Sequence, residues 1–385
     1  MSSTTTIIKT KEGDEIDIMK RDPKIFLDRS ILIFGGSEQG KSTLIKDLIY
    51  LVLPYIPGVL ISTPVSNFDD YNKIVDTKFM TETLTTTLID KIWNRQEGTQ
   101  VCKNLSEKID VLKSLYNKCN DTNKNHEIIR IEQTANVLTN DIRNSSISEN
   151  EKLAQITKIN NLKHEKIKEI YKSVIMSNGD KLKKFNLSDN EKLAIKFMGM
   201  NNRFLFVIDD KTEALKQLET KNKKAEHEEQ VNKLATMFYK CRHNSLTMIL
   251  GIHADKSIST EIRGSCHIII FCSKEALLGF LDKKSNSISK EEIDLLLKFA
   301  EVIFDNPTDV VKHHRKLIYN RISKHKYSYF IARLHENEDN SIKCKPLAEL
   351  LKHLPSEEEK KIKNNTYLKK FINIKEEKKI PRFVF

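Results

Sequence analysis

Ile31-Leu-Ile-Phe-Gly35-Gly-Ser-Glu-Gln-Gly40-Lys41-Ser42-Thr43-Leu44 decides how this chain is read. Gly35, Gly40, Lys41 and Ser42 fit the spacing GxxxxGK[ST], and their context suits it. Ile31 to Phe34 predicts a short buried strand, and from Ser42 the run STLIKDLIYLVL carries apolar residues at helical spacing. A loop held between strand and helix turns its backbone N–H groups inward around an anion, and the helix N-terminus adds partial positive charge beneath it. Gly35 and Gly40 allow close backbone approach and positive φ. The pattern predicts a nucleotide cradle of Gly35, Gly36, Ser37, Glu38, Gln39, Gly40, Lys41, Ser42 and Thr43, with ATP as its ligand. Lys41 would reach the β- and γ-phosphates and Ser42 would ligate Mg²⁺.

Such a loop is shared by kinases, GTPases, transporters and motors, so a second acidic site must discriminate. Phe204-Leu-Phe-Val-Ile208-Asp209-Asp210 predicts a buried strand ending in two acids. Asp209 fits the Mg²⁺-side aspartate of a Walker B strand. Asp210 falls where ATP-hydrolysing motors place a carboxylate that polarises the attacking water, a position that most of them fill with Glu. A strand merely ending in two solvated acids is the alternative. Leu246-Thr-Met-Ile-Leu-Gly-Ile252-His253 predicts a further buried strand with a polar end. His253 is the candidate γ-phosphate sensor there, or an ordinary strand-end histidine. A hydrolysis site shared between subunits needs an arginine from the neighbour. Arg263 is the first candidate and Arg242 the second, with a surface ion pair the alternative for each. His267 to Phe271 gives another apolar run. The chain carries neither an NKxD guanine-reading motif nor an LSGGQ-like signature, and it shows no arginine-rich lid. GTPases, transporter-type ATPases and small-molecule kinases therefore fit less well.

At 385 residues, the chain has room for about two to three domains. Hydrophobic residues at 39% and charged residues at 31% describe a globular chain and exclude collagen-like, mucin-like and wholly disordered readings. The net charge of +12 favours a polyanionic partner, although lysine-rich drift gives the same sum. The most apolar stretch, Leu48 to Ile61, is interrupted by Pro54 and Pro57 and is shorter than the ~20 residues that span a bilayer. It reads as helix end, turn and core strand. The N-terminus, MSSTTTIIKTKEGDE, has no apolar signal core. The six cysteines form no CxxC and show no zinc spacing, which suits reduced thiols in an intracellular protein.

The order of these blocks resembles the poxvirus-type genome-packaging ATPases of large DNA viruses, within the FtsK/HerA superfamily of P-loop motors. The likeness spans the phosphate loop; Val59 to Pro64, with Asn67 and Tyr71 after it; Phe204 to Asp210; and Cys241-Arg-His through Ile262-Arg263. Two later runs, Lys316 to Asn320 and Tyr327 to Arg333, look like the family's closing hairpin. The family usually has Gln at the sensor position, where this chain has His253. The resemblance implies a RecA-like α/β core with a mostly parallel sheet and an ATP-driven translocase that moves double-stranded DNA into a capsid. A site completed by a neighbour's arginine implies a homo-oligomeric ring; capsid or portal proteins are the further partners expected, and the host cytoplasm or the virion the expected place. A helicase or translocase of replication or recombination is a second reading. A nucleotide-gated scaffold with little turnover is a third.

Along the chain, residues 1–90 form the first part of the core, opening with a strand over Thr5 to Thr10. Residues 91–200 have almost no Pro or Gly and are rich in Lys, Asn and Glu. Their apolar residues recur at helical spacing: Ile109, Leu112, Leu115 and Tyr116, then Leu153, Ile156, Ile159, Leu162, Ile167, Ile170, Tyr171 and Val174. This predicts a long helical insertion between the second core strand and Walker B, either simply solvated or a docking arm. Residues 201–355 complete the core, with a charged helix over Glu213 to Tyr239. The loop Asp282 to Lys290 is basic, and Lys283 and Lys284 would touch DNA phosphates if it faced a pore. Residues 356–385 form a basic tail.

Overall fold

The computed structural model describes residues 7–119, 122–224, 233–253, 258–282, 288–304 and 314–333. The strands are β1 Ile7–Lys9, β2 Glu15–Asp17, β3 Ser30–Phe34, β4 Gly58–Ser62, β5 Met80–Thr81, β6 Phe204–Asp209, β7 Leu246–Ile252, β8 Ile268–Phe271, β9 Arg315–Asn320 and β10 Tyr327–Ile331. β1 and β2 pair as a separate antiparallel ribbon. The other eight form one sheet in the order β10-β9-β8-β3-β7-β6-β4-β5. β3 to β8 are parallel, and β9 and β10 close one edge as an antiparallel hairpin. The fold is the mostly parallel α/β core that the sequence predicts.

β3, β4, β6, β7 and β8 are buried at every position. A strand covered on both faces has no reason to alternate, so these segments read as continuous apolar runs. Alternate residues still serve opposite layers. In β3, Leu32 and Phe34 join the core beneath the helices Thr212–Lys224, Lys233–Lys240 and Lys290–Phe304. Ile31 and Ile33 join the other layer with Leu44, Ile45, Leu48, Ile49 and Val52 of α1, Lys41–Val52. α1 is fixed along its length as well: the buried Asp47 carboxylate accepts from the Arg21 guanidinium, 2.9 Å for one of the two contacts, and from the Arg333 N–H at 3.0 Å.

The described residues fall into two compact units. One runs to Glu97 and resumes at Asn201, and the other is Gly98–Met200. The division falls within the helix Thr86–Ser106, whose first turns bury Leu88, Ile89, Ile92 and Trp93 in the sheet's core. The second unit is helical, with Ile109–Cys119, Thr122–Asn144, Glu149–Ser177, Gly179–Leu182 and Asp189–Phe197. Ser148 and Ser188 open two of these helices with reciprocal capping boxes to Glu151 and Glu191. Leu112, Leu115, Tyr116, Ile167, Ile170, Tyr171 and Val174 form the unit's core.

Three sequence expectations are adjusted. Leu153 and Leu162, read as part of the helical apolar pattern, are 67% and 54% exposed, because the buried stripe of their helix begins near Ile167. The helical region follows the short edge strand β5, which two residues were too few to announce. The helix expected over Glu213 to Tyr239 is seen as Thr212–Lys224 and Lys233–Lys240, with 225–232 outside the described residues. Thr5 and Thr6, Lys283 and Lys284, and the tail also lie outside them. Among the described residues no helix is long and apolar enough to cross a membrane.

Candidate functional site

The glycine loop runs from the end of β3 to the start of α1. Gly40 takes φ 73° and Glu38 φ 62°, so the turn uses the left-handed region twice. The Gly36 N–H donates to Gln39 Oε1 at 2.6 Å, bracing the loop across its own width. A Cβ on Gly35 would sit 2.8 Å from Cys272 Cβ, so glycine is required there by space. From outside the loop, Lys316 Nζ on β9 donates to the Gln39 carbonyl at 2.6 Å. Lys316 is 1% exposed, and burial pulls its pKa below the usual lysine value.

Register brings the acids to the loop. β7 lies between β3 and β6, pairing Phe34 with Ile252 and Asp209 with Gly251. The three strands are parallel, so their C-terminal ends meet on one side of the sheet, where ligands of such sheets bind. Gly251 makes the approach possible: a Cβ there would fall 2.6 Å from Asp209 Oδ1 and 2.7 Å from Ile45 Cδ1. Asp209 is fully buried. Its Oδ2 accepts from the Tyr71 hydroxyl at 2.6 Å and from Ser42 Oγ at 3.4 Å. Its Oδ1 lies 3.7 Å from Lys41 Nζ and has no hydrogen-bond partner. Burial raises the Asp209 pKa, opposed by the Lys41 ammonium and the Tyr71 hydroxyl.

Asp210 follows at φ 55°, a left-handed conformation for a residue with a side chain, at the mouth of the site. His253 directly follows β7. Its Nε2 lies 3.0 Å from Lys41 Nζ and 2.9 Å from Asp210 Oδ1. One imidazole nitrogen can accept from the ammonium or donate to the carboxylate, but cannot do both. The two contacts are therefore alternatives.

The structure thus brings together the loop residues, Lys41, Ser42, Asp209, Asp210 and His253, and leaves the two arginines elsewhere. Arg242 is exposed in the short helical turn Cys241–Asn244 that precedes β7, at the end of the strand opposite His253. Arg263 is 4% exposed; its Nη2 donates to Thr260 Oγ1 at 3.1 Å and its carbonyl accepts from Arg321 at 2.7 Å. Three neighbours of the site were not assigned roles from the sequence. In the sequence Tyr71 enters only through the family resemblance, Lys316 only as the start of a strand in the hairpin that the resemblance suggests, and Gly251 only inside an apolar run. Of these, Gly251 left the clearest signal, since a glycine interrupting a core strand marks close approach.

Fold and site together define a mostly parallel α/β core whose GxxxxGK[ST] loop is opposed by a buried carboxylate. No protein-family model matches the chain. It is 24% identical over 382 residues to the uncharacterized protein B354L of African swine fever virus (isolate Pig/Kenya/KEN-50/1950), covering 94% of this chain and 98% of the relative. The protein of the Tick/Malawi/Lil 20-1/1983 isolate matches at the same identity and coverage. Among solved structures, the chain resembles the genome packaging NTPase B204 of Sulfolobus turreted icosahedral virus 2 in complex with ATP-gammaS. That likeness has 14% identity and a TM-score of 0.33, covering 82% of this chain and 100% of that one. The plasmid coupling protein TrwB with a non-hydrolysable GTP analogue shows 12% identity and a TM-score of 0.36, with 89% and 92% covered.

Proposed function

We propose that this chain is a Mg²⁺-dependent, ATP-hydrolysing motor that moves double-stranded DNA through a homo-oligomeric ring, and that its task is to drive a viral genome into a capsid. One observation carries the reading: Lys41, Ser42, Asp209, Asp210 and His253 converge at the C-terminal ends of three neighbouring parallel strands. The viral relative, matched over nearly its whole length, supports the setting. The +12 charge supports a polyanionic track held by backbone phosphates without sequence reading.

The loop amides and the α1 N-terminus bind the triphosphate, and Lys41 neutralises its β- and γ-oxygens. The residues suit a divalent cation, because Asp209 offers a hard oxygen, Oδ1, that is buried and without a hydrogen-bond partner. Ser42 and Asp209 would hold Mg²⁺, directly or through water, and the ion would offset charge on the phosphate oxygens. Asp210, at the mouth, orients the attacking water. When Lys41 turns to a phosphate, His253 loses its donor and Nε2 is left to Asp210. By this exchange, His253 reports the γ-phosphate to the carboxylate that acts on water. Arg242, exposed and far from its own loop, reaches the site of the next subunit in the ring. Arg263 is buried in its own chain and stays the weaker candidate.

The test is steady-state ATP hydrolysis by a size-defined oligomer, with and without double-stranded DNA. DNA-stimulated turnover that Lys41→Ala abolishes is expected, together with translocation along the duplex and no strand separation. Unwinding would indicate a helicase instead. Turnover that is negligible in both conditions would indicate a nucleotide-gated scaffold, and normal turnover in Lys41→Ala removes the assignment of the loop.

A further inference from the structure

Among the described residues Tyr71 is the largest side chain with no exposed surface, and its hydroxyl donates to the acid at the centre of the site. It ends the short helix Phe68–Tyr71, which follows β4 and the turn Val65–Asn67. A buried phenol needs a partner, and many acceptors would serve. Here the partner is Asp209 Oδ2 at 2.6 Å, the short distance of a hydrogen bond to a charged acceptor. Facing a carboxylate oxygen, which can only accept, the phenol is the donor of this bond.

The two oxygens of Asp209 are thereby made unequal. Oδ2 receives Tyr71 and, more loosely, Ser42 at 3.4 Å. Oδ1 faces Lys41 at 3.7 Å without a hydrogen bond, with Gly251 leaving it room. Ser42 belongs to the phosphate loop and is the one donor to Oδ2 that a bound ion would draw away. Tyr71 comes from a different element; its hydroxyl donates to Oδ2 and is itself approached by Ser42.

We propose that Tyr71 is the positioning residue of the cation site. Its hydroxyl, donated from outside the phosphate loop, holds Oδ2 by the shorter of its two bonds, so that Asp209 presents Oδ1 to a divalent ion in a fixed direction whether or not Ser42 stays bonded. This rests on the reading of Asp209 and Ser42 as the cation's ligands. The same bond ties the segment after β4 to the acid.

Tyr71→Phe tests it, because the ring stays and only the hydroxyl goes. Mn²⁺ binding to the full-length protein with ADP is followed by electron paramagnetic resonance, beside nucleotide binding in EDTA and thermal unfolding. Mn²⁺ affinity is expected to fall about tenfold, the scale of one lost hydrogen bond to a charged group. Nucleotide affinity in EDTA and the unfolding midpoint should stay near the parent. Unchanged Mn²⁺ affinity in Tyr71→Phe, alongside a loss in Asp209→Asn, makes Tyr71 a packing residue and overturns the inference while sparing the cation site. Unchanged affinity in Asp209→Asn removes the cation reading itself, and the inference falls with it.

Discussion

Lys316 Nζ donates to the carbonyl of Gln39 at 2.6 Å, so the closing hairpin of the sheet holds the outer face of the phosphate loop. In such a loop the N–H groups face the anion and the carbonyls face outward. A buried ammonium on one carbonyl fixes the loop's shape and would add positive charge behind a bound phosphate. Lys316→Met retains most of the buried chain and removes both effects. Nucleotide binding, measured by titration of a fluorescent ATP analogue, is expected to weaken about tenfold. Lys316→Arg should recover part of the loss, and equal weakening in both variants would assign the effect to packing.

Gly251→Ala adds a methyl group 2.6 Å from Asp209 Oδ1 and 2.7 Å from Ile45 Cδ1. Asp209 lies on a core strand and Ile45 in a packed helix, so neither moves aside freely. The substitution is expected to cost about 1–3 kcal/mol of stability, read by chemical denaturation. Because the clash is with the acid itself, divalent-ion binding should weaken further than stability falls. A stable variant with parental ion binding would show that the strand ends are not held at this separation.

Much of this arrangement was legible in the sequence. β3, β4, β6, β7 and β8 announced themselves because strands buried on both faces are runs of branched and aromatic residues. The loop was legible because phosphate binding demands particular residues at fixed spacing. Tyr71 and Lys316 were not, because each meets the site through tertiary contact across 138 and 277 positions of chain. Nothing local marks a tyrosine whose hydroxyl lands on a distant acid. Leu153 and Leu162 failed for the opposite reason: helical spacing gives a face but does not say how far along the helix a partner extends.

The helical unit carries its own pH dependence. Glu191 is 5% exposed. Burial alone would raise its pKa, but the Lys118 ammonium, the backbone and hydroxyl of Ser188 and the Ser114 hydroxyl hold it at about 2, below the usual 4.5. A carboxylate with a depressed folded-state pKa contributes stability that is fully present above the unfolded value. That contribution is lost as pH falls from 4.5 toward 2. The unfolding midpoint of the full chain should decline through this window, and Glu191→Gln should flatten the decline while lowering the midpoint at pH 7. An identical slope in the variant would place the sensitivity in other groups.

Arg242 and Arg263 separate by mixing. Arg242 is exposed, so Arg242→Ala should leave the unfolding midpoint in place and lower turnover by at least a hundredfold, the scale of a lost charge-neutralising arginine. Arg263 is buried and bonded within its own chain, so Arg263→Ala should first lower the midpoint. If Arg242 acts on the next subunit, a Lys41→Ala subunit still supplies an intact Arg242 and an Arg242→Ala subunit still supplies an intact loop. Each variant alone is expected to be inactive, and mixed rings should recover ATP turnover at the junctions where the intact loop meets the intact arginine. Absence of recovery in co-assembled rings, confirmed by size and subunit labelling, would rule out a contribution of Arg242 across the subunit junction.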